Sequence, residues 1–201
     1  MSTTALRVAI IGGGIGGIAA ANALLQRGLD VHVYEQASAL TEVGAGLALQ
    51  PNGVRMLRRL GFGDDIARLA ARWCDPQFRR PDGTFIARMW PPEQDGQIEF
   101  YGIHRADLLQ VLVDNLPRDV VKTGHRCTGF AQDDEQAVVT FANGERVEAD
   151  VVVAADGIHS TLQQYVVAPS APIPSGSVAY RGVVSAARVS WPTGAMRNWL
   201  G

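Results

Sequence analysis

The sequence predicts an α/β fold that opens with a strand–turn–helix–strand unit, and three observations support this prediction. The apolar, β-branched run at residues 6–11 has the length and composition of a buried strand. Glycines follow at once, and residues 18–28 are rich in helix formers and end on a glycine, as a capped helix does. A second apolar run at residues 30–34 supplies the next strand. This order of elements is typical of Rossmann-like folds.

The glycine-rich turn at residues 12–17 fits the pattern GxGxxG through Gly12, Gly14 and Gly17. Gly12 permits the tight turn, Gly14 allows the backbone to approach a pyrophosphate, and Gly17 allows the helix to pack closely against the strand. The helix that starts here would present N–H groups and the positive end of its dipole to that pyrophosphate. The turn therefore predicts a dinucleotide-binding site.

The second strand ends in Glu35, an acidic residue about 20 positions beyond the glycines, where a carboxylate can accept hydrogen bonds from a ribose hydroxyl. A carboxylate also disfavours a 2′-phosphate at this position. The predicted ligand is therefore an unphosphorylated adenosine, as in FAD or NAD. The alternative, a glycine-rich turn that binds nothing, leaves the order of strand, turn, helix and acidic residue unexplained.

Composition limits the partners and the compartment. The chain has 201 residues, is 47% hydrophobic and carries a formal net charge of −2. This is an ordinary soluble composition, and it gives no reason to expect a nucleic acid or an anionic membrane as partner. No apolar run has the form of a signal peptide or a membrane span. The sequence thus predicts a cytoplasmic protein.

The two cysteines, Cys74 and Cys127, are far apart, and no histidine lies at metal-ligand spacing from either. This pattern predicts two reduced thiols and no metal site.

Two further helices are predicted beyond the opening unit. The first ends at Gly61 and carries Val54, Leu57 and Leu60 on one face. The second covers residues 105–113, which have an apolar stripe at helical spacing.

Three further strands are predicted at residues 127–130, 137–141 and 146–154, where apolar residues alternate or run together. Asn143 and Gly144 lie between the last two runs, and this dipeptide is typical of a hairpin turn in which both residues have positive φ.

The last of these runs ends in residues 151–155, which are apolar throughout and are therefore predicted to be buried on both faces of a sheet. Asp156 and Gly157 follow at the carboxyl end of this strand, where ligands bind in open α/β sheets. Residues 169–177 are rich in proline, serine and alanine and predict a crossing to another domain.

Five motifs occur along the chain in a fixed order. They are the glycine turn with Glu35, residues 44–47 with 51–53, residues 104–108, residues 149–160, and residues 180–182. Together they resemble the flavin-dependent aromatic hydroxylases, the single-component FAD monooxygenases that include salicylate hydroxylase and 6-hydroxynicotinate monooxygenase. The resemblance spans essentially the whole chain.

The resemblance implies an enzyme that binds FAD, is reduced by NADH or NADPH, and uses O2 to hydroxylate a small aromatic or heteroaromatic substrate. It implies no particular catalytic residue, and it places Tyr180 at the start of a substrate-domain strand, where it would either line the substrate pocket or fill a strand face. The implied cofactor-binding residues are Gly12, Gly14, Ile15, Gly17, Glu35, Gly46, Leu47, Arg105 and Asp156.

The same resemblance implies a Rossmann-like FAD-binding domain with inserted β-rich segments and the start of a substrate-domain sheet. Residues 1–76 and 104–168 would form the FAD-binding parts. Residues 77–103 would be inserted substrate-domain strands, and residues 169–201 would begin the substrate domain.

The chain departs from the family pattern at two places. The family has an arginine shortly after the serine of the Asp-Gly motif, and residues 160–164 contain none, which affects nicotinamide binding more than FAD binding. Family members also continue well beyond this length, so a truncated form, a fragment or a degraded gene copy is expected. Two alternatives therefore stay open: a catalytically inactive flavoprotein remnant, and an NAD-dependent dehydrogenase, which explains Glu35 but not the later strand ending at Asp156.

Overall fold

The computed structural model describes residues 5–40, 46–176, 178, 182–190 and 195–200. In these ranges the helices are α1 (Ile15–Leu25), α2 (Pro51–Arg59), α3 (Gly63–Leu69) and α4 (Arg105–Asp114). The strands are β1 (Arg7–Ile11), β2 (Asp30–Tyr34), β3 (Gly46–Leu49), β4 (Ala71–Arg72), β5 (Cys74–Arg79), β6 (Phe85–Arg88), β7 (Tyr101–His104), β8 (Val121–Lys122), β9 (Cys127–Gln132), β10 (Ala137–Phe141), β11 (Arg146–Ala149), β12 (Val151–Ala154) and β13 (Ala195–Trp199). Short 3-10 turns lie at Pro92–Gln94, Gly157–His159, Gln163–Tyr165 and Ala186–Arg188.

The chain divides into two units by its internal contacts. The first unit consists of residues 1–42 and 109–178, and the second of residues 43–108 and 179–201. The division falls inside α4. The four-part domain organisation predicted from the sequence stays a prediction.

A parallel sheet in the order β12-β1-β2-β8 forms the centre of the first unit. The central strand β1 is apolar and β-branched, and Ile10 is fully buried between its neighbours. Helix α1 follows β1 and buries Ile18, Ala21 and Asn22. The Asn22 side chain is compatible with this burial because its Nδ2 donates to the Ile18 and Leu112 carbonyl oxygens, at 2.9 Å each. The predicted α/β fold with a Rossmann-like opening is confirmed.

The predicted strand at residues 146–154 is two strands, because the chain changes sheets at Asp150. β11 pairs antiparallel with β10, whereas β12 pairs parallel with β1. At the junction the Arg7 backbone N–H donates to the Asp150 carboxylate at 2.7 Å, and the Asp150 N–H donates to the Arg7 carbonyl oxygen at 2.9 Å. These two hydrogen bonds join the start of β1 to the junction between β11 and β12.

The expectation that residues 151–155 are buried on both faces is wrong. Val151 is 41% exposed, and Val152 and Val153 are only half-buried. Among the described residues β12 pairs with β1 alone, so it lies at an edge of the sheet. An apolar run indicates that a strand is suited to burial, but it does not state how many neighbours the strand has.

The second sheet of the first unit is the antiparallel meander β11-β10-β9. The hairpin between β10 and β11 is confirmed, but its predicted turn geometry is wrong, because of the two residues predicted to have positive φ, Asn143 and Gly144, only Gly144 has it (+88°). The Gly144 N–H donates to the Phe141 carbonyl oxygen at 3.0 Å, which makes a type I turn followed by a left-handed glycine. Asn143 contributes differently, since its Oδ1 accepts the Glu145 N–H at 2.9 Å.

One hydrophobic core cluster of the first unit lies between these two sheets. Side chains from β1 and β2 pack against side chains from the meander and from the segment that follows β12. The buried members are Ala9, Ile11, Tyr34, Cys127, Val139, Phe141, Ala149 and Leu162. This packing fixes the carboxyl ends of the parallel strands relative to the meander.

The second unit contains two small sheets, in the orders β3-β7-β4 and β13-β5-β6. Helix α2 buries Val54 and Leu57 from the predicted apolar face, whereas Leu60 is only half-buried. In the second sheet the Asp75 carboxylate on β5 accepts from Arg88 Nε at 2.9 Å and from Arg197 Nη2 at 3.1 Å. None of the helices in the described ranges is long and apolar enough to cross a lipid bilayer.

Candidate functional site

The turn after β1 requires glycine at two of the predicted positions. Gly12 has a φ of +113°, and its N–H donates to the Tyr34 carbonyl oxygen at 2.9 Å. A Cβ on Gly12 would overlap the Ala155 carbonyl oxygen, and a Cβ on Gly17 would overlap the Gly12 carbonyl oxygen. These two glycines therefore allow the close contacts between β1, α1 and the end of β12.

Gly14 has a different environment, because an added Cβ would meet nothing within 4 Å. It lines a cavity at the carboxyl ends of the parallel strands and is the N-cap residue of α1. The N-cap makes no side-chain hydrogen bond, and the first turn, which starts at Ile15, carries no acidic residue. Backbone N–H groups at this helix end are thus available to an anion that approaches Gly14.

Gly13 contributes to the site although no sequence motif predicted a role for it. Its N–H donates to Glu35 Oε2 at 2.7 Å, and an added Cβ would lie 2.8 Å from Leu40 Cδ2 and 3.0 Å from Glu35 Cβ. A side chain at this position would therefore displace Glu35. The uninterrupted glycine run at residues 12–14 could have indicated a role for Gly13, but the GxGxxG pattern allows any residue at that position.

Glu35 lies at the end of β2, and backbone amides fix both of its carboxylate oxygens. Oε2 accepts the Gly13 N–H at 2.7 Å, and Oε1 accepts the Ala37 N–H at 2.8 Å. An ionised carboxylate offers about four lone-pair sites, so each oxygen retains capacity for a further donor. The carboxylate is thus oriented before any ligand arrives and can accept hydrogen bonds from two hydroxyl groups.

The cavity at this edge has a volume of about 390 Å³, which is within the range of small-molecule sites. All of its lining residues belong to the first unit. They are Ile11, Gly12, Gly14, Tyr34, Glu35, Gln36, His125, Arg126, Cys127, Ala155, Asp156, Gly157, His159 and Thr161. The cavity therefore brings together the glycine turn, the end of β2, the loop before β9 and the turn after β12.

Asp156 lines the cavity, but its carboxylate is bonded to the turn that follows it. Oδ1 accepts from Ser160 Oγ at 2.6 Å, and Oδ2 accepts the N–H groups of Thr161 at 2.7 Å and Leu162 at 3.1 Å. Ser160 Oγ in turn accepts the Gln163 N–H at 2.9 Å. In this arrangement Asp156 orders residues 157–162, and its predicted contact with a cofactor stays a prediction.

The loop between β8 and β9 is a wall of the cavity that no sequence motif indicated. The Gly124 N–H donates to the Ala37 carbonyl oxygen and the His125 N–H to the Glu35 carbonyl oxygen, both at 2.8 Å. These bonds attach the loop to the segment that follows β2. Burial raises the pKa of the Cys127 thiol at the start of β9, so this cysteine stays protonated at neutral pH.

The second unit contains three other predicted cofactor-binding residues. Gly46 and Leu47 on β3 lie opposite His104 and Ile103 on β7, and Arg105 follows β7 directly as the first residue of α4. Pairing of β3 with β7 thus brings Gly46 close to Arg105 although the two are far apart in sequence. Arg105 is exposed and Leu47 is half-buried. Tyr180, the predicted substrate-pocket residue, lies outside the described residues.

No group of three or more His, Cys, Asp or Glu side chains in the described ranges is arranged to hold a metal ion. Both cysteines are free thiols, with Cys74 exposed and Cys127 buried.

The chain is similar to known proteins along most of its sequence. A family model described as an FAD binding domain matches residues 5–196. A 3-amino-4-hydroxybenzoate 2-monooxygenase of Streptomyces platensis is 40% identical over 187 residues, which cover 91% of this chain and 47% of that protein. A salicylate hydroxylase of Pseudomonas putida is 36% identical over 192 residues, which cover 89% of this chain and 43% of that protein.

The fold is similar to that of solved flavoproteins. The crystal structure of Klebsiella pneumoniae HpxO complexed with FAD and uric acid has a TM-score of 0.70 and 32% sequence identity, and the match covers 80% of this chain and 41% of that one. The chain spans about half the length of the curated relatives that it matches.

Proposed function

The chain belongs to the FAD binding domain family, and on this premise we propose that the cavity of its first unit binds the adenosine and diphosphate part of FAD. One observation carries this proposal. The Glu35 carboxylate is fixed by the Gly13 and Ala37 amides, faces the same cavity as Gly14, and retains capacity to accept two ribose hydroxyl groups.

The residues present fit this ligand in charge and in shape. The open space beside Gly14 and the first turn of α1 suit a diphosphate, because the helix end presents N–H groups and no carboxylate. An acidic residue at position 35 suits a ribose that carries no 2′-phosphate. Gly12, Ile15 and Gly17 would shape the turn, while Gly46, Leu47 and Arg105 remain proposed FAD contacts of the second unit.

We further propose that the protein to which this sequence belongs is an FAD-dependent monooxygenase. The support is the similarity to proteins named 3-amino-4-hydroxybenzoate 2-monooxygenase and salicylate hydroxylase. In the proposed reaction NADH or NADPH, O2, a proton and a small aromatic or heteroaromatic substrate yield the hydroxylated product, water and the oxidised nicotinamide. FAD supplies the redox chemistry, and the residues of this chain bind and orient it.

The test is to purify the chain, add FAD, remove unbound flavin by desalting and record the visible absorbance. Retained flavin, together with stronger binding of FAD than of NAD in calorimetric titrations, is the expected result. Glu35→Ala should weaken FAD binding by at least about tenfold, since it removes an acceptor of charge-assisted hydrogen bonds. Glu148→Ala, on the exposed side of β11, is the matched control and should bind FAD as the wild type does.

Two outcomes would contradict the proposal. One is a folded chain that binds NAD and no flavin, which favours a dehydrogenase. The other is unchanged FAD affinity in Glu35→Ala, which places the flavin elsewhere on the chain.

A further inference from the structure

His125 makes ring contacts that the family resemblance does not predict and that a residue does not need merely to line the cavity. It lies on the loop between β8 and β9 and lines the cavity. Its ring packs edge-on against Tyr34 and Phe141, with centroids 5.4 Å and 5.2 Å away. The side chain is only 12% exposed, so its ring nitrogens depend on protein partners for hydrogen bonds.

Both ring nitrogens of His125 face groups that can only accept a hydrogen bond. Nδ1 lies 2.7 Å from the Thr123 carbonyl oxygen, and Nε2 lies 2.8 Å from Glu145 Oε2. A neutral imidazole carries one proton and can donate to only one of these two acceptors. Both contacts are therefore hydrogen bonds only in the doubly protonated ring, and the contact with Glu145 is then an ion pair.

These contacts join three segments around the nucleotide cavity. The Thr123 contact folds the loop back on itself, and the Glu145 contact attaches it to the hairpin between β10 and β11. The loop backbone is bonded to the Glu35 carbonyl oxygen through the His125 N–H at 2.8 Å. The residue that orients the loop is thus bonded directly to the residue whose carboxylate is proposed to bind the ribose.

We propose that His125 is a positioning residue for FAD: its protonated ring bridges Thr123 and Glu145 and holds the wall of the cavity in the shape that binds the nucleotide. This inference rests on the proposed function, since it concerns affinity for the same ligand. It makes FAD affinity dependent on pH. Loss of one ring proton leaves a nitrogen lone pair facing an acceptor oxygen, so the loop loosens and the affinity falls as the pH rises.

The other titratable groups around the His125 ring do not account for a fall in FAD affinity as the pH rises. Burial raises the pKa of the Tyr34 hydroxyl and of the Cys127 thiol, so both stay neutral while histidine titrates between about pH 5 and 8. Lys122 lies over the Tyr34 ring, with Nζ 5.4 Å from its centroid. The remaining charged or titratable groups at the cavity or at the ring are Glu35, Arg126, Glu145, Asp156 and His159. Of these, His159 is the other histidine, and it needs a control.

The experiment measures the FAD dissociation constant at pH 6 and pH 9 by quenching of flavin fluorescence. Wild-type affinity should fall by about fivefold to tenfold over this interval, the effect of losing one charge-assisted hydrogen bond. His125→Phe keeps the aromatic packing but neither hydrogen bond, so it should bind weakly at pH 6 and show no pH dependence. Glu145→Gln, at a side chain that is 44% exposed, should fold normally and bind FAD more weakly than the wild type at pH 6, because the ion pair with His125 is lost.

Two control variants test whether the effect is specific to His125. His159→Gln should keep the wild-type pH profile, and Glu148→Gln on β11 should keep both the profile and the affinity. A His125→Phe protein with wild-type affinity, or with reduced affinity and an unchanged pH profile, would overturn the proposal, because the ring would then be dispensable or merely structural.

Nuclear magnetic resonance of the 15N-labelled histidine rings provides a readout that does not involve FAD. Both His125 nitrogens should carry protons at pH 6, and a singly protonated His125 at pH 6 would overturn the proposal. Failure of the proposed function has a separate signature: FAD then fails to bind the wild type at either pH.

Discussion

The two turns at the carboxyl ends of neighbouring parallel strands, residues 12–17 after β1 and residues 156–162 after β12, use their polar groups in opposite ways. Both contain a glycine with positive φ, at +113° for Gly12 and +76° for Gly157. The first turn keeps open space beside Gly14, whereas the second directs the Asp156 carboxylate into its own backbone. We infer that the first turn binds the ligand and that the second is a scaffold that shapes the cavity.

The largest expected difference between the two turns concerns their glycines. Gly17→Ala places a Cβ against the Gly12 carbonyl oxygen, a backbone atom that cannot move without separating α1 from β1. We expect a loss of about 3 kcal/mol or more in the free energy of unfolding. In Gly157→Ala the added Cβ would meet nothing within 4 Å. The free energy of unfolding should therefore fall by only about 1–2 kcal/mol, because alanine is strained in the left-handed backbone conformation of this residue. Urea unfolding followed by circular dichroism measures both, and equal losses would contradict the comparison.

The next largest expected effect tests whether Asp156 stabilises the turn after β12 or binds the ligand directly. Asp156→Ala removes the acceptor of three hydrogen bonds in the turn after β12, so we expect a loss of about 2 kcal/mol in the free energy of unfolding. FAD affinity measured on the folded variant should fall by less than it does in Glu35→Ala. Ser160→Ala is the matched control, because it removes only part of the same network. A larger loss of affinity in Asp156→Ala than in Glu35→Ala would instead make Asp156 a direct ligand-binding residue.

A smaller effect tests whether the open space beside Gly14 is where the ligand approaches. Gly14→Ala and Gly16→Ala each add one methyl group where the protein has nothing within 4 Å. Only Gly14 lines the cavity, so Gly14→Ala should weaken FAD binding by about tenfold, whereas Gly16→Ala should not. Thermal unfolding in the absence of FAD should show both variants close to the wild type. Equal FAD affinity in the two variants would remove Gly14 from the proposed site.

The turn after β1 and the environment of His125 differ in how far they could be predicted. The turn after β1 and the end of β2 lie within one short stretch of sequence, so the spacing of Gly12, Gly14, Gly17 and Glu35 contains most of the geometry of this part of the site. The environment of His125 depends instead on contacts between segments that are distant in sequence. No local pattern states that a histidine ring will lie between a carbonyl oxygen and a hairpin carboxylate.

Errors in the predicted fold have the same origin. The apolar run before Asp156 shows which strand is suited to burial, but the exposure of Val151 depends on the number of neighbouring strands. The Asn143–Gly144 dipeptide predicted the hairpin correctly. The turn type depends on the length of the loop, however, and in the observed turn only Gly144 of these two residues has positive φ. Local sequence thus predicted the strand before Asp156 and the hairpin, and tertiary contacts decided the burial of the strand and the geometry of the turn.

The smallest expected effect concerns the ion pair that joins the starts of the two strands leading into these turns. The hydrogen bond from the Arg7 guanidinium, 2.8 Å from Asp150 Oδ1, lowers the pKa of the Asp150 carboxyl below its usual range, and the pKa of Arg7 is raised in return. Because the folded-state pKa is lowered, the ionised carboxylate stabilises the fold at neutral pH. This contribution is lost as the pH falls from about 4, the pKa of an unperturbed aspartate, through the lowered value.

Asp150→Asn should therefore lower the melting temperature at pH 7 by no more than about 2 °C, since both side chains are partly exposed to solvent. The difference between variant and wild type should shrink as the pH falls from about 4 through the lowered pKa of the folded carboxyl, below which the wild-type carboxyl is also neutral. FAD affinity should not change, because Asp150 lies at the start of β12 and the cavity lies beyond its end. A marked loss of affinity in Asp150→Asn would mean that the two turns are coupled through the register of β1 and β12, and the separation into binding turn and scaffold turn would then have to be abandoned.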